Sequence, residues 1–226
     1  MITGKQKALS EVARMATPYK RVLVLGCGTC TTICFAGGQK ETAEMASSLR
    51  LLGQNEKRRQ VFSEHTVRRQ CEWEYLDEIA PLLKESDAVV SLACGVGAQA
   101  LAERFPEIPV LPGLDTCFMG LPQEPGVWSE RCLACGDCII DTTAGICPIT
   151  RCAKGLLNGP CGGSVDGQCE ISADIPCAWQ LIHDKLASQG QLSRLDELSP
   201  LRDWSTSHSG GPRRIVRQDL KVKKTP

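Results

Sequence analysis

"RVLVLGCGTCTTIC", residues 21–34, joins an apolar run to a loop of glycines and cysteines. The Val and Leu residues at 22–25 read as a short buried strand, and the loop stands where many strand–helix units carry a phosphate-binding turn. The helix-like stretch 40–49 follows and can end before Gly53. Residues 61–67 predict a second strand. Residues 73–84 carry Trp73, Leu76, Ile79, Ala80 and Leu83 at helical spacing. Residues 87–92 read as a buried strand, 98–104 as a helix and 108–111 as a fourth strand. This alternation predicts an α/β fold with a small, open, Rossmann-like parallel sheet covered by helices on both faces.

In such sheets the site lies beyond the carboxyl ends of the strands, near the point where strand order reverses. Cys27 and Cys30 follow the first strand, with Cys34 close behind; Cys71 follows the second and Cys94 the third. Thiols far apart in sequence are thus expected at one rim. A dinucleotide site is not expected, because position 31 is Thr where G-x-G-x-x-G needs its third glycine, and no acid stands at the ribose spacing. Gly26 and Gly28 are expected to relax the backbone so that the thiols turn toward one metal centre. Backbone N–H groups of the next helix would then stabilise an anionic thiolate cluster. A bland alternative exists for any free cysteine, a small apolar filler, and Cys117 is read that way. Cys27, Cys30, Cys34, Cys71 and Cys94 exceed the four ligands of a cubane, so at least one of the last three is expected to be spare.

Composition supports thiol chemistry over other classes. The 226 residues hold 26 basic and 26 acidic side chains, so no global field attracts nucleic acid or an anionic membrane. No stretch approaches the roughly 18 apolar residues of a membrane span, and residues 1–5 lack the apolar region of a signal peptide. The expectation is a cytoplasmic protein, in which 14 cysteines are metal ligands rather than disulfide partners.

The second half follows a Pro/Gly-rich link at 121–126. Cys132, Cys135 and Cys138 have the C-x2-C-x2-C spacing of a cluster loop. The first Cys-Pro comes only at Cys147, a longer gap than in bacterial ferredoxins. Cys152, Cys161, Cys169 and Cys177 complete the group amid glycines and prolines, which predicts a loop-dominated metal-binding module held by metal more than by an apolar core. Spacing leaves open one cubane with spare thiols, two cubanes, or a cubane with a tetrahedral zinc. Residues 178–186 read as a helix with His183 on its surface. Beyond Pro200 the tail, with Arg213, Arg214, Arg217, Lys221, Lys223 and Lys224, is either a solvated end or an arm that folds onto a partner. The organisation expected is an α/β domain over 1–120, a Cys-rich iron–sulfur or metal-binding module over 121–187, and an extended, partner-contacting tail over 188–226.

The segments "VLVLGCGTCTTICFAGGQKE", "RRQCEWEYL", "VVSLACGVGAQALAERFP" and "CLACGDC" through "GICPITRCAKGLLNGPCGG" together resemble the MetV-type subunits of acetogen-type methylenetetrahydrofolate reductases, which carry the methylenetetrahydrofolate reductase C-terminal domain. The resemblance covers about residues 20–185. It implies iron–sulfur clusters, for which two [4Fe–4S] centres are the expectation, and a partner, the flavin-containing catalytic MetF-type subunit. By the same resemblance Cys27, Cys30, Cys71 and Cys94 fall in N-terminal cysteine motifs, and Cys132, Cys135, Cys138, Cys147, Cys152 and Cys161 in C-terminal ones.

The function expected is electron transfer rather than bond making, in the one-carbon reduction of methylenetetrahydrofolate to methyltetrahydrofolate. With 4% aromatic residues, three histidines and no phosphate loop, the chain lacks an evident flavin or pterin site, so FMN is expected in the partner only. A further electron-donor protein would feed the clusters. Two rivals stand beside this reading: a zinc-binding structural scaffold with no redox role, and an enzyme using a low-pKa Cys27 or Cys30 as nucleophile.

Overall fold

The computed structural model describes residues 1–220, so the expectation for Lys221, Lys223 and Lys224 lies outside the described residues. The chain forms two compact units, Met1–Glu130 and Arg131–Pro226.

The first unit opens with β1 (Ile2–Gln6) and α1 (Leu9–Ala16), then β2 (Arg21–Cys27), the four-residue α2 (Cys30–Ile33) and the long α3 (Gln39–Asn55). Next come β3 (Val61–Val67), α4 (Trp73–Asp77), α5 (Ala80–Lys84), β4 (Ala88–Ser91), α6 (Gly95–Arg104) and β5 (Val110–Pro112). The strands form a parallel four-stranded sheet in the order β3-β2-β4-β5, as the alternating pattern predicts. Residues of β2 alternate between faces. Val22 and Val24 pack with Val12, Met45, Leu49 and Phe62; Leu23 and Leu25 pack with Leu76, Ile79, Leu83 and Leu101. Each such buried side chain contributes about 1.5–3 kcal/mol, which explains why an unbroken apolar run sits at the centre of a sheet covered on both sides.

The continuous helix expected over 73–84 is two helices, with Pro81 in the first turn of the second. Proline has no N–H to donate and its ring clashes with the carbonyl four residues back, so one helix cannot run through it. The link expected at 121–126 is also a different object. β6 (Leu114–Glu124) and β7 (Val127–Cys132) make a hairpin whose turn places Gly126 at φ 89°. β6 pairs antiparallel with β1 in a second sheet of order β1-β6-β7.

Asp87 ties the entrances of β2 and β4 together. One carboxylate oxygen accepts the Lys20 and Arg21 N–H groups at 3.1 and 2.9 Å, and the other accepts the Arg21 guanidinium at 2.8 Å. Arg21, through its side chain and then its N–H, holds Asp87 below the ordinary 3.8. A depressed folded pKa contributes stability that is present above the unfolded value and lost as pH falls through the folded one. Urea unfolding between about pH 6 and pH 2 is therefore expected to fall less steeply for Asp87→Asn than for the native chain. Parallel curves would remove the carboxylate from the account.

The second unit has little regular structure: α7 (Pro148–Arg151), the short antiparallel pair β8 (Gln168–Cys169) and β9 (Ser172–Pro176), and α8 (Ala178–Ser188). Its buried core is Ile146, Trp179, Ile182 and Leu186. Four 3₁₀ turns follow among the described residues, Leu192–Asp196, Trp204–Thr206, His208–Gly210 and Gln218–Leu220.

Candidate metal centres

In the first unit strand order reverses between β2 and β4, and the thiols follow that geometry. Cys27 ends β2, Cys71 lies four residues beyond β3, and Cys94 is the residue before α6, just past β4. Cys71 has its pKa raised, first by burial, then by the Cys27 charge and, more weakly, the Cys94 charge. Three thiols from three loops thus sense one another at the carboxyl rim. Gln70, fully buried, holds this edge: its amide donates to the Leu25 and Gly26 carbonyls at 2.8 and 3.2 Å and accepts from the Ser91 hydroxyl at 2.7 Å.

The loop after β2 is braced by its own threonines. Thr31 and Thr32 hydroxyls donate to the Cys27 carbonyl at 3.2 and 2.8 Å, and the Cys27 N–H donates to the Gly37 carbonyl at 2.8 Å. Gly26 is present because of crowding rather than backbone freedom. A Cβ there would lie 2.2 Å from Thr42 Oγ1 and 2.6 Å from Thr66 Oγ1. Thr42 is itself committed to the Gly38 carbonyl at 2.7 Å. Gly26→Ala is expected to cost about 1–3 kcal/mol, as overpacking does, read from a lower denaturation midpoint; an unchanged midpoint would mean the loop yields freely.

The helix start after this loop is not an anion cradle. The N–H groups of Thr32 and Ile33 already donate to the Thr29 carbonyl, and at the start of α3 the Gly38 N–H donates to the buried Glu41 carboxylate at 2.9 Å. A phosphate at the start of α3 would meet that carboxylate.

Cys34 and Cys117 stand apart. Cys34 is buried in the hydrophobic core, where its sulfur accepts the Gly4 N–H at 3.4 Å and donates to the Thr31 carbonyl at 3.6 Å. Burial pushes its pKa up, and the Cys30 and Cys117 charges add to this. Those surroundings favour a neutral thiol. Cys117, expected as a buried filler, is exposed on β6, because the core face of that strand begins at Leu114 and the middle of β6 faces outward.

In the second unit Cys152, Cys161, Cys169 and Cys177 share one cleft, while Cys132, Cys135 and Cys138 stand on the loop after β7. Cys132 ends β7 and opens the 132–138 loop, whose chain reverses through Ala134 and Gly136 in left-handed conformations, φ 50° and 86°. The Ala134 N–H donates to the Cys132 sulfur at 3.3 Å. Cys147 stands immediately before α7, and the Thr150 hydroxyl of that helix donates to the Arg131 carbonyl at 3.2 Å, beside Cys132. Cys152, Cys161, Cys169 and Cys177 line one small cleft with Arg151, Lys154, Glu170 and Trp179. The Gly163 N–H donates to the Cys161 sulfur at 3.4 Å and, with Lys154 nearby, lowers that thiol's pKa. Lys154 is ion-paired with Glu170. Burial, then Arg131, pushes the Arg151 pKa down, so this cleft disfavours its cation until negative charge joins it.

The tail residues fold back onto the 132–138 loop. The Arg202 guanidinium donates to the Cys135 sulfur at 3.0 Å and to the Asp137 carbonyl, and the Thr206 hydroxyl donates to the Cys135 carbonyl at 2.9 Å. Arg213 donates to the Ala134 carbonyl. No local pattern marks Arg202 or Thr206 as partners of the loop; the tail is low in apolar residues and carries no spacing tied to the cysteines.

Among the described residues no three His, Cys, Asp or Glu side chains converge closely enough to hold a metal ion. The thiols are neighbours rather than closed shells. Cysteine thiolates are the donors that would suit a thiophilic metal, iron–sulfur or zinc. No helix among the described residues is long and apolar enough to cross a membrane.

Residues 111–205 match the family model described as "Methylene-tetrahydrofolate reductase C terminal". That segment is under half of the chain and contains the hairpin, all eight cysteines from Cys132 to Cys177, α8 and Arg202. The similarity indicates that family for the segment and agrees with the resemblance carried by the cysteine motifs. Comparison with curated proteins and with solved structures gives no match.

Proposed function

We propose that the chain is an iron–sulfur electron-transfer subunit working beside a flavin-bearing, MetF-type methylenetetrahydrofolate reductase subunit. The observation that carries this reading is that eight cysteines, four of them lining one cleft, lie within the segment similar to the reductase C-terminal family. Cys132, Cys135, Cys138 and Cys147 form one four-thiolate set; Cys152, Cys161, Cys169 and Cys177 form the other. Cys27, Cys71 and Cys94, with Cys30 at the adjacent turn, form a third set at the rim of the parallel sheet.

A cubane bound by such thiolates supplies one-electron transfer, which suits a relay between an electron-donor protein and a partner's flavin. The chain's residues do the rest. Thiolates bind, the Ala134 and Gly163 N–H groups stabilise negative charge on sulfur, and the tail holds Cys135 through Arg202 and Thr206. FMN and folate belong to the partner in this reading.

The test is metal and acid-labile sulfide analysis of chain purified without oxygen, with absorption spectra before and after dithionite. About four or more irons with matching sulfide, and a visible band that bleaches, support the relay. Zinc alone after iron–sulfur reconstitution would leave a scaffold subunit, with four-thiolate zinc sites and no redox role.

A further inference from the structure

The guanidinium of Arg202 is buried in a unit whose described core is small. Its side chain is only 6% exposed. Nη2 is engaged with the Cys135 sulfur and the Asp137 carbonyl, while Nε and Nη1 have no hydrogen-bond partner. The nearest carboxylate, Asp137, lies 3.7 Å from Nη1, beyond hydrogen-bond distance, and is itself half exposed. The ring of Trp204 covers the guanidinium at 4.9 Å. A buried cation with two idle donors requires an anion, and a neutral thiol is a poor one.

Independent contacts hold the same segment in place. The Thr206 hydroxyl grips the Cys135 carbonyl, and a Cβ on Gly136 would lie 2.2 Å from the Thr206 carbonyl oxygen, so loop and tail touch backbone to backbone. Arg213 bridges the Ala134 and Thr206 carbonyls.

The geometry points to residues 202–213 as a strap over the 132–138 loop, with Arg202 as a positioning residue whose N–H groups bond the sulfur of an anionic metal–thiolate group held there and set its reduction potential. This rests on the proposed function in one respect, that the loop binds metal. Donation to sulfur and a nearby positive charge both favour the more negative, reduced state, so Arg202 raises the potential. The same donation to sulfur strengthens the hold on the metal, so its loss speeds release.

The experiment uses the full metal-loaded chain. The loop centre is identified as the signal missing from Cys138→Ala, and its potential is measured in Arg202→Gln, Arg202→Lys and, as a control, Arg214→Gln at an exposed tail arginine. Arg202→Gln is expected to shift the reduction equilibrium of that centre about tenfold toward the oxidised form, ~59 mV for one electron, and to speed metal loss to a chelator. Arg202→Lys, which keeps charge but loses the planar fork, shifts it less in the same direction. Arg214→Gln leaves both readings unchanged. If the Gln variant does not fold, a Lys variant with native potential and native chelator rate overturns the inference. A loaded Gln variant indistinguishable from the native chain overturns it as well, while leaving the metal reading standing. A native chain that takes up neither iron nor zinc overturns both.

Discussion

Alanine in place of Cys135 will empty the 132–138 loop and release the tail that lies over it. Cys135 is the one thiol of the loop held by the tail on two sides, through its sulfur to Arg202 and its carbonyl to Thr206. A cubane that loses one of four thiolates loses a covalent ligand, and the buried Arg202 loses its sulfur acceptor. The expected result is a fall of about four irons per chain, loss of one reducible signal, and faster tryptic cleavage after Arg202 and Arg213. If the chain is the proposed relay, electron delivery from it to the flavin of the proposed MetF-type subunit should drop by about tenfold or more, since removing the ligands of a centre removes its redox couple. Iron content equal to that of the native chain would exclude Cys135 as a ligand.

Metal removal is expected to unfold the second unit and spare the first. The described core of the second unit is Ile146, Trp179, Ile182 and Leu186, packed mainly on one face of α8. Between β7 and α8 the only regular elements are a four-residue helix and a short strand pair. Ordering a residue's backbone costs about 1–2 kcal/mol, and a core this small offsets little of that across the loops; under the proposed function metal–thiolate bonds supply the difference. The first unit buries apolar clusters on both faces of its sheet and should keep its fold. Hydrogen exchange on chelator-treated protein gives the reading: amides of α8 and β9 should lose protection, while β2 and β4 retain theirs. Full protection of α8 without metal would mean that its apolar face suffices.

The parallel sheet was legible because burial on two faces leaves a local mark. Val22 to Leu25 form an unbroken apolar run, and the helices that cover them carry apolar residues at helical intervals. The second sheet left a weaker mark. β1 is five residues long and finds its partner in β6, more than a hundred residues away, while Pro122, Pro125 and Gly126 make the hairpin look like a link. Cysteine spacing showed a cluster loop at 132–138 but could not rank the thiols. Cys34 has the spacing of a ligand and the surroundings of a core residue.

Residue order by itself determined the α/β class, the central strand, and the concentration of thiols in a loop-rich second half, because periodicity and composition report what each short segment must bury. Tertiary structure alone decided which sulfur is buried in the core and which one the tail meets. The meeting of Cys27, Cys71 and Cys94 at one rim was expected from the strand pattern, but the burial of Cys34 and the fold of the tail, which sets Arg202 against Cys135 across 67 positions of sequence, were not. Such contacts arise from where separate elements pack, and a chain carries no local periodicity that records them.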